Sequence, residues 1–174
     1  MLPSWCDDSN PPCCRTLWDT ADALLTVAYE AVKGCCSGGE CDELVSFISV
    51  GAPTYALGDY VCVWLDTVQP GYRPPREREQ NMIMPRTVGR YGVQLMESGW
   101  PNVEGGPEGT VPSPEAISAA AIYSYAHFES MTRAIYRYVM RDLHCSSYEI
   151  EAAVPNSGEM YAGWQMFVQI SWDM

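Results

Sequence analysis

The sequence predicts a single α+β domain in which two helices pack on one face of a mainly antiparallel sheet. Three observations predict this fold. Two long stretches carry apolar residues at helical spacing, several shorter segments alternate apolar and polar residues, and the last two of these flank a short polar turn. With 174 residues, 47% of them apolar, the chain is long enough to bury one sizeable core.

The chain opens with a polar, proline-containing segment that shows no period, so residues 1–15 are predicted to form an N-terminal arm. The domain itself is then predicted to span residues 16–174. It begins with a helix over residues 16–33, in which apolar positions recur every three or four residues. Gly34 is well placed to end this helix, because glycine tolerates the backbone conformation that follows a helix C-terminus.

Three strands are predicted before the second helix, over residues 43–50, 60–68 and 88–96. Successive side chains of a strand point to opposite faces. The apolar residues that share one face of the second and third strands are Val61, Val63, Leu65, Tyr91, Val93 and Leu95. Long irregular connections are predicted between and after these strands, and such connections in a small domain usually reach a ligand or a partner.

The second helix carries the clearest start signal in the chain. Ser113 is predicted as its N-cap and Pro114 as its first residue, and the helix is expected to continue to about Leu143. Arginines recur every four residues near its end and share one face: Arg133, Arg137 and Arg141. They form either a solvated stripe or a contact with another subunit or DNA.

The chain is predicted to end in a hairpin, with strands over residues 148–154 and 162–172 and a turn over residues 155–158. In its second strand the apolar residues that alternate with polar ones are predicted to pack against the second helix: Trp164, Met166, Val168 and Ile170.

The net charge of −12 argues against a surface that wraps nucleic acid, since such surfaces need clustered basic residues. An acidic surface instead repels DNA, so that DNA can slide past it without binding. Half of the ten basic residues lie within residues 73–90. Four of these are predicted to contact an acidic neighbour, the alternative being a solvated loop over residues 70–86: Arg73, Arg76, Arg78 and Arg86.

The eight cysteines are compatible with disulfides, a metal site or buried free thiols. No C-x-x-C spacing occurs, and the pairs at residues 13–14 and 35–36 lie at opposite ends of the first helix, which disfavours structural zinc. Local disulfides fit the spacing better. One set joins Cys35 or Cys36 to Cys41, and another joins Cys6 to Cys13 or Cys14. Vicinal cysteines seldom bond each other, so Cys41 is the expected partner in the first set.

No catalytic motif, cofactor fingerprint or metal-ligand cluster is present, so no catalytic, cofactor-binding or metal-binding residue is assigned. His127 and His144 are expected to be structural. Glu149 and Glu151 share a strand face, and we expect that face to be solvated. Apolar runs are too short to cross a bilayer, and the first residues lack the features of a secretory signal, so synthesis in a cytoplasm is expected.

The order of these elements resembles the tail terminator proteins of long-tailed bacteriophages, particularly those of actinobacteria. The residues that carry the resemblance are Gly-Cys-Cys at 34–36 with Cys-Asp-Glu-Leu-Val at 41–45, the strands 60–68 and 88–96, Val-Pro-Ser-Pro-Glu-Ala-Ile at 111–117, and Ala-Gly-Trp at 162–164. It covers roughly residues 16–172, and it rests on the order of the motifs.

This resemblance implies a virion protein that forms a homohexameric ring on the last ring of the tail tube. The ring stops tube growth and docks the tail to the head connector protein, while DNA passes through the lumen. The arm before Cys13 and the segment 70–86 are longer than the family pattern, which keeps a neighbouring neck protein such as the head-tail stopper open. A secreted cysteine-rich binding module and a metal-dependent enzyme are the alternatives from other classes.

Overall fold

The computed structural model describes residues 13–36, 43–52, 58–73, 84–98, 113–143, 145, 147–151, 154–158 and 161–173. Two α-helices and six strands lie along the chain in the order α1 (Cys13–Lys33), β1 (Val45–Ser49), β2 (Tyr60–Arg73), β3 (Met84–Ser98), α2 (Pro114–Arg137), β4 (Ser147–Ile150), β5 (Val154–Gly158) and β6 (Tyr161–Asp173). A π-helical turn, Tyr138–Asp142, continues α2.

The strands form one sheet in the order β1-β2-β3-β6-β4, and β5 also pairs with β6. All pairs are antiparallel except β1 with β2, which is parallel. The α+β class with a mainly antiparallel sheet is therefore confirmed. β3 lies in the middle of the sheet, and it pairs with β2 and β6 over nearly its whole length.

The main core lies between the two helices and one face of the sheet. It contains apolar residues from every long element: Leu24, Ala28 and Val32 of α1, Val61 and Val63 of β2, Tyr91, Val93 and Leu95 of β3, Met131 and Ile135 of α2, and Met166, Val168 and Ile170 of β6. The faces predicted for the strands are thus confirmed. Ser130 Oγ donates a hydrogen bond of 3.0 Å to the carbonyl oxygen of Ala31, which ties α2 to α1.

The opposite face of the sheet holds a second, smaller buried cluster, which the alternation of apolar residues did not predict. Tyr60, Cys62 and Trp64 of β2 lie in it with Met96 of β3. Trp64 is 1% exposed and stands opposite Gly92 in the β2–β3 register. A Cβ atom at Gly92 would overlap the indole ring, so the absence of a side chain there provides the space that Trp64 fills.

The N-cap predicted for the second helix is confirmed, because the Ser113 hydroxyl accepts a hydrogen bond from the Ala116 amide. Both helices differ from prediction at one end. α1 begins at Cys13, so residues 13–15 belong to the helix and not to the arm. α2 stops at Arg137, and the rest of the predicted helix forms the π-helical turn, which brings Val139 into the core.

The predicted turn at residues 155–158 is wrong, because these residues belong to β5 and pair with β6. Ile150 stands opposite Val168 and Val154 opposite Gln165, so four steps along one strand match three along the other. β4 and β5 therefore pair with successive parts of β6 along one edge of the sheet. A proline is tolerated there because an edge strand needs hydrogen bonds on one side only.

Candidate interaction surface

The first ten residues of α2, Pro114 to Tyr123, are exposed on nearly every side, and only Ala120 is half-buried. Glu115 is the single charged residue among them. Ile117 and Tyr123 are about 40% exposed, and Ile122 is 71% exposed. Burial of α2 begins at Ser124. An apolar helical surface of this kind in contact with water is typical of a site that another protein covers.

The exposed apolar surface continues along the helix. Tyr125, Tyr136 and Met140 are also exposed, and with Ile122 they recur at steps that place them on the side roughly opposite the core residues Met131 and Ile135. We call Ile122, Tyr125, Tyr136 and Met140 the α2 stripe. Two charged residues interrupt it, and they pair with each other: Arg133 Nη2 lies 2.6 Å from Glu129 Oε1.

A groove of about 560 Å³ separates the end of α1 from α2, beside this stripe. Glu30, Gly34 and Cys35 line it from α1 and the residues just after it, and Arg133 and Arg137 line it from α2. Both arginines are exposed, as a solvated stripe would have them. Exposure is equally what a contact with another chain would need, so the two alternatives for these arginines remain.

The four arginines predicted as an interface are placed differently from expectation where the structure describes them. Arg73 is the last residue of β2, and Arg86 lies in β3 opposite Gly71. Arg76 and Arg78 lie outside the described residues. The predicted loop over residues 70–86 is therefore wrong at both ends, since β2 and β3 continue their antiparallel pairing to Arg73 and Met84.

The fifth arginine of that cluster, Arg90, anchors an ion-pair network. Its guanidinium binds Glu151 through two hydrogen bonds of 2.9 and 2.8 Å, and it donates a third of 2.6 Å to Asp66. The same group lies 3.8 Å from the ring centre of Phe167. Glu151 therefore forms an ion pair that the expected solvated face of Glu149 and Glu151 did not include, although 41% of its side chain is still exposed. The pairing was not readable from sequence, because Arg90 and Glu151 are 61 residues apart.

The Arg90 network is expected to lose strength in acid. Its hydrogen bond lowers the pKa of Glu151, so the stabilisation is present above the ordinary value of 4.5 and is lost as pH falls through the folded-state value. Glu151→Gln should lower the free energy of unfolding by about 1 kcal/mol at pH 7, a modest figure because Glu151 is 41% exposed. Urea titrations at pH 7 and pH 3 should show this difference shrinking in acid, whereas exposed Glu149→Gln should change little at either pH. A deficit that persists at pH 3 would contradict the assignment.

The buried side chain of His127 contacts residues from three parts of the fold. It is 2% exposed, and its Nδ1 lies 2.7 Å from Oε1 of Glu97 at the end of β3. Its Nε2 lies 3.7 Å from Sγ of Cys36, just after α1. The ring of Tyr123 packs edge-on against the imidazole at 4.1 Å. Sequence reasoning missed Glu97 because the strand was predicted to end at Met96; His144 lies outside the described residues.

Cys36 is disulfide-bonded, whereas Cys35, Cys62 and Cys145 have free thiols. The partner of Cys36 is therefore a cysteine whose side chain is not described. Sγ of Cys36 lies 3.2 Å from the carbonyl oxygen of Val32, near the C-terminal end of α1. Cys13 and Cys14 are at the other end of this helix of 21 residues, about 30 Å away, which is beyond the reach of a disulfide.

We expect the partner of Cys36 to be Cys41. Cys6 lies seven residues before Cys13, the first residue of α1, and seven extended residues span at most about 25 Å. To reach Cys36, this segment would have to run back along almost the whole length of α1. Residues 37–40, Ser-Gly-Gly-Glu, in contrast allow a tight closure. Peptide mapping of the unreduced protein by mass spectrometry should find a Cys36–Cys41 linked peptide. A linked peptide with Cys6, or eight free thiols, would contradict this expectation.

Within the described residues, no three His, Cys, Asp or Glu side chains form a group that could hold a metal ion. None of the described helices is both long and apolar enough to span a membrane. The chain matches no protein-family model and no curated protein.

Proposed function

We propose that this chain is a structural subunit that assembles into a ring at the head-proximal end of a bacteriophage tail tube. The ring ends growth of the tube and joins the tail to the head connector, and DNA passes through its lumen. The observation that carries the proposal is the exposed apolar surface of α2, formed by residues 114–123 and the α2 stripe. The α+β fold agrees with what the family resemblance implies, although a fold alone does not imply a function.

A second copy of the same chain is the proposed occupant of this surface. Residues 114–123 contain one charged side chain, so a neighbour can cover them with little cost of removing charges from water. A ring needs each subunit to place one patch against a different patch of the next, because only a head-to-tail contact closes into a ring of six. The α2 surface supplies one of these two patches.

Charge sets a second requirement for a ring of this protein. Each subunit carries −12, so six of them repel one another unless positive groups meet acidic groups across each boundary. The arginine cluster in and between β2 and β3 supplies such groups, since guanidinium groups bind carboxylates through two parallel hydrogen bonds. The remaining acidic surface then faces the DNA path without binding it.

The mass of the purified protein tests ring assembly. Native mass spectrometry should detect a multimer of six 19.4 kDa chains, and negative-stain electron microscopy should show rings. Ile122→Asp should abolish this multimer because it places a carboxylate in the centre of the apolar surface. Thr26→Asp is the matched control, with the same added charge at an exposed helical position on α1, outside the α2 surface. A monomer at all concentrations, or equal loss in both variants, would overturn the α2 contact.

The arginine cluster gives a separate prediction. Changing Arg73, Arg76, Arg78 and Arg86 together to Ser should leave the monomer folded but weaken assembly and yield fewer joined heads and tails. The same four positions changed to Lys should assemble better than the Ser variant, because charge is kept while two-point binding is lost. If the Ser variant still forms rings and restores full infectivity to a phage lacking the gene, the four arginines are only solvated and make no contact that assembly needs.

A disulfide-stabilised secreted module is the second candidate, and the bonded state of Cys36 favours it. Small secreted modules use most of their cysteines in bridges. Three free thiols among the described cysteines count against that class. A head-tail stopper would share the ring and the location, and electron microscopy of labelled virions would separate it from a terminator by its layer in the neck.

A further inference from the structure

We propose that the groove between α1 and α2 receives residues 114–123 of the next copy of the chain. This contact rests on the proposed ring, and it identifies the two surfaces that meet at each subunit boundary. Residues 114–123 form one surface, and the groove forms the other. The two surfaces lie at different ends of α2, so each subunit can offer one of them to each of its two neighbours, as a head-to-tail ring requires.

The end of α1 separates the two surfaces. Sγ of Cys36, just after α1, lies 3.7 Å from Nε2 of His127, and Ser130 is hydrogen-bonded to the carbonyl oxygen of Ala31. The last turn of α1 is therefore level with residues 127–130 of α2. Residues 114–123 run past the end of α1, and they are exposed because α1 does not cover them. The groove begins on α2 only at residue 126, where α1 lies beside the helix.

The groove has room for the bulky side chains of a neighbouring helix. Its volume of about 560 Å³ is within the range of about 300–1,000 Å³ that is typical of sites that bury a ligand. Half of the residues that line it have small side chains or none: Ala31, Gly34, Ala126, Ser130 and Ala134. Ile122 of the next copy, which is 71% exposed in the single chain, would be buried against them.

The charges of the two surfaces are compatible. Four charged residues of the described part of the chain line the groove, and their charges cancel: Glu30, Glu129, Arg133 and Arg137. The groove is thus locally neutral in a chain that carries −12 overall. Residues 114–123 carry only the charge of Glu115. These two surfaces can therefore meet without the like-charge repulsion that acts between the acidic parts of neighbouring subunits.

Glu115 of one copy and Arg137 of the next form an ion pair across each boundary. Arg133 is already bound to Glu129, whereas no carboxylate among the described residues pairs with Arg137. Glu115 and Arg137 lie at opposite ends of α2, about 33 Å apart, so they cannot meet within one subunit. Glu115 shares a helix face with Ile122, about two turns further on. The carboxylate therefore approaches the groove together with this apolar side chain.

A mixing experiment tests whether the groove is the second surface. Ile122→Asp damages the apolar surface, and Ala126→Trp fills the groove from an exposed position. Each variant alone should stay monomeric, whereas Ala126→Ser, which keeps the side chain small, should still form rings. Mixed one to one, the two damaged variants retain one intact surface each, so native mass spectrometry should find a heterodimer of two 19.4 kDa chains and no ring. Rings of Ala126→Trp, or a mixture without heterodimer, would overturn the groove contact.

Exchanging two charges at exposed positions gives a second test that does not depend on a bulky substitution. Glu115→Arg and Arg137→Glu should each raise the midpoint concentration of assembly about tenfold, because each places like charges at the boundary. The double variant restores opposite charges and should assemble within about threefold of the wild type in analytical ultracentrifugation. If the wild type forms rings but the double variant is no better than the single ones, the groove contact is overturned and the ring stands. A wild type that stays monomeric or stops at a dimer overturns both.

Discussion

Val168→Asp is expected to abolish soluble folding. Val168 is 0% exposed in β6, where it stands between Tyr91 of β3 and Ile150 of β4 and faces the main core. A carboxylate at this position would be buried among apolar side chains, which costs several kcal/mol. Domains of this size are stable by only about 5–15 kcal/mol in total. The soluble fraction after expression and centrifugation measures the effect.

Gln169→Asp is the matched control for this change. Gln169 is the next residue of the same strand, it is half-buried on the opposite face, and it stands opposite Arg90. An added carboxylate near that guanidinium should be tolerated, with a change below about 1 kcal/mol. A shift of one residue in the pairing would exchange the two faces. Equal damage from both variants would therefore show that the register of β6 is wrong.

Gly92→Ala should destabilise the protein by about 3 kcal/mol, the upper range for overpacking a core. The added methyl group would occupy the space of the Trp64 indole, which is 1% exposed in the second cluster. The ring would have to leave its position, and Phe167, which packs edge-on against it at 5.9 Å, would lose that contact. Urea unfolding followed by tryptophan fluorescence should show a lower midpoint.

A double variant separates this overlap from a general effect of glycine loss. Trp64→Leu removes the ring that the new methyl group meets, so Gly92→Ala should be much milder in that background. The losses in unfolding free energy of the two single variants should therefore add up to at least about 1 kcal/mol more than the loss measured for the double variant. Strictly additive losses would mean that the effect of Gly92→Ala does not come from overlap with the Trp64 ring.

Much of the fold could be predicted because its signals are local. The alternation in β2, β3 and β6 follows from two-sided strands, and the start of α2 follows from Ser113 and Pro114, whose chemistry acts within one turn. The turn at residues 155–158 failed because Pro, Asn, Ser and Gly do favour turns, but pairing with β6 outweighs that preference in an edge strand.

The sites were harder to predict because they depend on distant partners. His127 meets Glu97 from 30 residues away and Cys36 from 91 residues away. Arg90 meets Glu151 in the same manner across the sheet. The sequence also contains no pattern that predicts the exposure of the α2 surface. Ile122 and Ile135 are the same residue type on one helix, and only the packing of α1 and the sheet decides which of them is covered.

The position of β6 in the sheet determines when this protein can fold during synthesis. β6 is inserted between β3 and the β4–β5 edge, and it pairs with β3 from Arg86↔Asp173 to Ser98↔Tyr161. Until the ribosome has released residues 161–173, the central strand has one unpaired edge and the core lacks Met166, Val168 and Ile170. An open edge on a central strand can pair with other chains. The sheet and the main core are therefore completed only after β6 has been released.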